Sequence, residues 1–132
     1  MGDYEKSADE IKKTFGVVLD QFKALPPDTV PHEWAEMKEY SFGKTEIPAK
    51  YRELIGLAIA ATIKCPYCVY FHTKAAKMNG ATDAELAELA FLTRFTTGWS
   101  SILHASGIDI EDFKKQFDKA ALYMSKKTKA LE

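Results

Sequence analysis

Apolar residues recur along this chain at spacings of three and four and nowhere alternate with a period of two, so every element they predict is a helix. Ile11, Phe15, Val18, Leu19 and Phe22 place one amphipathic helix over residues 3 to 24, stopped by Leu25-Pro26-Pro27. A short helix follows from Pro31 to about Phe42, carrying Trp34, Met37 and Tyr40, and Gly43 ends it. Pro48 opens the next helix, whose Gly56, Ala58, Ala60 and Ala61 suit close approach by a neighbour. That helix must break near Lys64, because Pro66 biases Cys65 away from helical dihedrals and is itself at home in a first helical turn. A helix with Cys65 at its N-cap then runs to Asn79-Gly80. Thr82 and Glu85 form a capping box for a long helix to about Ala105, with a wide apolar face from Leu86 to Leu103 that belongs at the centre of the fold or at a subunit interface. After Gly107, Asp109 caps a last helix bearing Ile110, Phe113, Phe117, Ala121 and Tyr123. The expectation is an all-α, single-domain bundle of about six helices over residues 1 to 132.

Charge changes the picture mainly by exclusion. Eighteen basic and 19 acidic residues, interspersed to a net charge of −1, offer no electrostatic footprint for nucleic acid or an anionic membrane. The longest apolar run, Leu54 to Ile63, is too short to span a bilayer. The polar start MGDYEKSADEIKK lacks a signal-peptide core, so a cytoplasmic protein is expected.

The chemistry gathers between Glu53 and His72, in ELIGLAIAATIKCPYCVYFH. On one helix Cys68 lies a turn beyond Cys65, and His72 lies at i+4 from Cys68, so the three side chains share a face. The cysteines can form a disulfide, and the imidazole can serve the second thiol as a base. Glu53, on the preceding helix, is the only carboxylate between Tyr51 and Lys64; buried, it needs a partner, and it can orient His72 or else pair with Lys50 or Arg52. Two cysteines three apart in a reducing compartment read as redox-active or metal-binding rather than as a secreted framework. A zinc site would need a distant fourth ligand, so no metal and no cofactor are expected. The helix dipole favours Cys65 as the more acidic thiol, whereas the adjacent base favours Cys68. Tyr67, Tyr70 and Phe71 line an apolar entrance or belong to the core, and His32 and His104 read as structural, with His104 an outside candidate for the site.

The arrangement Glu53-x11-Cys65-x2-Cys68-x3-His72, with the Asn79-Gly80-Ala81-Thr82-Asp83-Ala84-Glu85 turn after it, resembles the alkylhydroperoxidase D-like branch of the carboxymuconolactone decarboxylase superfamily over about residues 33 to 104. The resemblance implies an all-helical homo-oligomer in which a dithiol reduces hydroperoxides and is re-reduced by an external thiol or dithiol protein. Larger relatives look like two fused units forming trimers, so six copies are implied here, with three the alternative. By position, Cys68 looks like the attacking thiol, Cys65 the resolving one, and Glu53 and His72 a proton relay. The best-studied branch has a second histidine before the second cysteine; Tyr67 stands here, and the two-histidine relay does not carry over.

Three other functions compete. The superfamily also hosts decarboxylases, which do not generally carry the dithiol. Cys-Pro-Tyr-Cys is also a glutaredoxin motif, but that frame needs a strand before it, where this chain is Ala-rich. A redox sensor would use the disulfide to change packing without turning over.

Overall fold

The computed structural model describes residues 1 to 131. Within them the chain forms helices and no strand: α1 (Asp3–Phe15), α2 (Asp20–Lys23), α3 (Val30–Met37) running into a π-helical turn (Lys38–Phe42), α4 (Ala49–Thr62), α5 (Pro66–Met78), α6 (Asp83–Ala105) and α7 (Ile110–Leu131). The all-α class expected from the periodicity is what the chain adopts. It divides into two compact units, Met1–Leu86 and Ala87–Glu132.

The first expected helix is in fact two. Gly16 takes a left-handed φ of 78° and its N–H closes on the Lys12 carbonyl, which ends α1 nine residues early. The apolar spacing continues through Val18, Leu19 and Phe22 because α2, after the bend, turns the same stripe back onto the same core. Ile11, Phe22, Val30 and Trp34 are buried together, and Trp34 meets Phe15 and Phe22 edge-on at ring separations of 5.9 Å. The Trp34 Nε1–H donates to Glu10 at 2.9 Å, and Lys38 reaches the same carboxylate oxygen at 2.6 Å. The π-turn after Met37 is the other departure, as no residue in KEYSF announces a widened turn.

The frame of the site is the tight pairing of α4 with α5. Arg52 fastens the entry to α4 by donating to Thr45 Oγ1 and to the carbonyls of Ile47 (3.1 Å) and Gly43 (2.9 Å). Lys50 crosses to Glu85 at 2.9 Å. Glu85 also closes the expected capping box, accepting from Thr82 N–H at 2.8 Å while its own N–H donates to Thr82 Oγ1 at 3.1 Å. The corner between α4 and α5 is a Schellman turn in which Cys65 N–H bonds the Ala60 carbonyl at 3.0 Å and Lys64 N–H bonds Ala61 at 3.3 Å. Lys64 stands at φ 60° in the left-handed position that glycine usually occupies. The same turn recurs after α5 and α6, with Gly80 and Gly107 in that position.

In the second unit α6 and α7 hold no buried side chain among the described residues. Phe91, Leu92, Phe95, Trp99 and Ile102 are all about half exposed. The expectation that this face lies at the centre of the fold fails within the chain, which leaves the subunit-interface expectation.

Trp34 is 2 % exposed and fixes three helical segments at once, so Trp34→Ala is expected to lower stability by about 3–5 kcal/mol. Trp34→Phe, which forfeits mainly the bond to Glu10, should lose closer to ~1 kcal/mol. Chemical denaturation followed by helix content checks both.

Candidate functional site: a dithiol at a helix N-terminus beside a buried Glu-His pair

Cys65 adopts extended dihedrals (φ −88°, ψ 103°) and caps α5, with Pro66 as the first helical residue. Its Sγ accepts the Cys68 N–H at 3.3 Å, as an N-cap side chain does, and this brings the two sulfurs to 2.7 Å. Both cysteines are free thiols and partly exposed. The two sulfurs pull their acidities apart. The Cys65 thiol is held below its ordinary range, first by the hydrogen bond from the Cys68 side chain and then by backbone N–H groups. The Cys68 thiol is pushed up, first by that same hydrogen bond, which favours its protonated form, and then by desolvation. Of the two sulfurs, Cys65 is the one on which the helix N-terminus favours negative charge.

Glu53 lies on the face of α4 that meets α5 and is 4 % exposed. Of the three partners within its reach by sequence, His72, Lys50 and Arg52, it takes His72: the Nδ1–H donates to Glu53 Oε2 at 2.7 Å. Lys50 and Arg52 are engaged elsewhere, with Glu85 and with the 43–47 segment. The imidazole is oriented with Nε2 left over for proton transfer, and Phe71 meets it edge-on with ring centroids 5.1 Å apart. Among the described residues no hydrogen bond joins His72 to either sulfur. Nor does any group of three His, Cys, Asp or Glu side chains converge as a metal site there.

The remaining candidates fall away from this cluster. Tyr67 (85 % exposed) and Tyr70 are solvent-facing on α5, so neither is core. His104 donates from Nδ1 to the Ser100 carbonyl at 2.7 Å and lines a small apolar cleft with Leu103, Ile108, Ile110 and Phe113. The sequence motif does not mark Gly56 as a site residue. It sits one turn after Glu53 and directly under the His72 ring, and the Glu53-x2-Gly56 spacing, which puts both on one helix face, was the available signal.

The profile of the carboxymuconolactone decarboxylase family matches residues 28–110, a span that includes all four residues. The chain belongs to that family. The structure is similar to the crystal structure of an alkylhydroperoxidase AhpD core from Rhodospirillum rubrum, with a TM-score of 0.71 and 27 % identity over 84 % of this chain and 85 % of that one. In sequence it is 31 % identical over 83 residues to an alkyl hydroperoxide reductase of Mycobacterium tuberculosis, a match covering 61 % of this chain but only 24 % of that protein. Over 60 residues it is 37 % identical to an uncharacterized protein of Cupriavidus necator, covering 46 % of this chain and 53 % of the other. This chain therefore spans a quarter to about half the length of these two sequence relatives. No helix among the described residues is long and apolar enough to cross a membrane.

The division of acidity has a direct consequence. Alkylation of Cys65 should follow a pH midpoint below the ordinary thiol range, and Cys68→Ala should move that midpoint up, because the donor that stabilises the thiolate is gone. Single-cysteine alkylation rates across pH measure both.

Proposed function

We propose that this protein is a thiol-dependent peroxidase that reduces hydroperoxides through the Cys65–Cys68 dithiol, with Glu53 and His72 as its proton relay. The observation that carries this reading is the meeting of two free sulfurs 2.7 Å apart with a buried Glu-His pair anchored one helical turn from Cys68. The relatives named alkyl hydroperoxide reductase and alkylhydroperoxidase core support the same class of substrate. A glutaredoxin-like carrier loses its basis, since the motif here follows a helix and not a strand.

In this mechanism His72 takes the thiol proton of Cys68 while Glu53 holds Nδ1 and stabilises the imidazolium. The Cys68 thiolate attacks one peroxide oxygen. An S–O bond forms, the O–O bond breaks, and the departing alkoxide takes the proton back from His72 to leave as an alcohol. Cys65 then attacks the sulfenic sulfur, an S–S bond forms, and hydroxide leaves as water with the second thiol proton. An external dithiol returns two electrons and two protons, and the enzyme is reset. The bonds around Cys65 favour a second order: Cys65 attacks first, and His72 activates Cys68 for the resolving step.

The active form in this reading is a homo-oligomer, six copies by resemblance or three. A second copy would cover the half-exposed apolar faces of α6 and the stripe of Ile55 and Ile59 on α4 with Ile63 at its C-cap.

His72→Ala and Glu53→Gln should each slow peroxide-driven thiol loss by about 10²–10⁴-fold with helix content and oligomer size unchanged. Wild-type rates in both would remove the relay. Sulfenic-acid trapping with peptide mass analysis separates the two orders: label on Cys68 in Cys65→Ser supports the first, and label on Cys65 alone in Cys68→Ser supports the second. Without label on either sulfur the peroxidase reading fails. Light scattering that shows a monomer at micromolar concentration would count against the oligomer.

A further inference from the structure

His72 rests on bare backbone. A β-carbon built on Gly56 would stand 2.5 Å from Cε1, 2.6 Å from Nδ1 and 2.7 Å from Nε2 of the His72 ring, well inside ordinary van der Waals contact. Three consecutive ring atoms at nearly equal distance place that carbon over the face of the imidazole and not beyond its edge. The ring therefore lies flat on α4 at Gly56. Glu53, one turn earlier on the same helix, accepts its Nδ1–H at 2.7 Å. One helix supplies both the seat and the orienting carboxylate. Ala60, one turn on from Gly56 on α4, and Ala76, one turn on from His72 on α5, are fully buried as well.

We infer that Gly56 is a positioning residue for the His72 base, its missing side chain being what lets the imidazole lie on α4 with Nδ1 on Glu53 and Nε2 free. The inference rests on the relay reading for its effect on rate, but not for its effect on the ring. Any side chain at position 56 lifts or turns the ring by about 1 Å, and the Nδ1–H leaves the line of the carboxylate oxygen. Helix propensity points the opposite way, since alanine is the better helix former, so a loss in Gly56→Ala would not come from weakening α4.

The test uses the full-length, reduced protein. Isotope-labelled imidazole spectra, with the His72 signals assigned by their absence in His72→Ala, report whether Nδ1 carries a hydrogen-bonded proton. Peroxide-driven thiol loss reports the relay. In Gly56→Ala the Nδ1–H signature should disappear and thiol loss should slow by about 10- to 100-fold, the range expected when a catalytic group is displaced by an ångström. An unchanged His72 spectrum in Gly56→Ala overturns the inference. A lost signature with a wild-type rate keeps the positioning role and removes the relay from the peroxidase reading instead. If Gly56→Ala does not fold, Gly56→Ala combined with His72→Ala decides. There the added methyl enters the room vacated by the ring, so against His72→Ala alone, which equally leaves Glu53 unpaired, a double variant that folds as well supports the seat, and one that unfolds where His72→Ala folds shows that the clash lies elsewhere and overturns it.

Discussion

A carboxylate buried between two helices is the constraint on which this site depends. Glu53 has almost no contact with water, and an unpartnered charge there would cost several kcal/mol. Its one partner, His72, comes from the neighbouring helix, so satisfying the acid and closing α4 onto α5 are the same event. The approach is possible because α4 presents Gly56 and Ala60, and α5 presents Ala76, along the seam. Small residues let the backbones come near, nearness brings the ring onto Glu53, and the pair fixes α5 against α4.

The dithiol depends on a different piece of local geometry. Lys64 in the left-handed region closes the α4–α5 corner at a backbone conformation that costs an L-residue on the order of 1–2 kcal/mol. The tight corner delivers Cys65 directly to the N-cap of α5, where its sulfur meets the Cys68 N–H and the Cys68 thiol. Two chemically identical side chains thereby become unlike. One is surrounded by donors that favour its charged form, and the other is held toward its protonated form. A dithiol whose two members differ in acidity can separate attack from resolution, whichever sulfur goes first.

The two units are stabilised on different terms. Residues 1 to 86 enclose a core of their own around Trp34 and Ile11, and α4 is tied by side-chain bonds from Arg52 to the 43–47 segment, from Lys50 to Glu85 and from Glu53 to His72 on α5. From residue 87 onward, the aromatic rings among the described residues stack on or meet edge-on near neighbours of their own helix, Phe91 with Phe95, Phe95 with Trp99 and Phe113 with Phe117. Such pairs do little to remove apolar surface from water, and a helix in this condition gains most of its stability from a partner.

Much of this was legible in the residues alone. Helical periodicity set the fold class, and Pro48, Pro66, Asn79-Gly80, the Thr82–Glu85 box and the Asp109 cap placed five helix boundaries, because propensity and capping act within a few residues of one another. Spacing put Cys65, Cys68 and His72 on one helix for the same reason. Where periodicity misled, at Gly16, a bent chain presented the same stripe to one core as a straight helix would have. Which of Lys50, Arg52 and His72 would take Glu53 was beyond any local rule, and so was the role of Gly56. Both answers turn on how closely α4 approaches α5, and that distance is fixed by the packing of residues up to 19 positions apart. The sequence by itself determined which groups share a helix face; only the tertiary structure decided which faces meet, because burial and steric fit are properties of the assembled pair and not of either strand of residues.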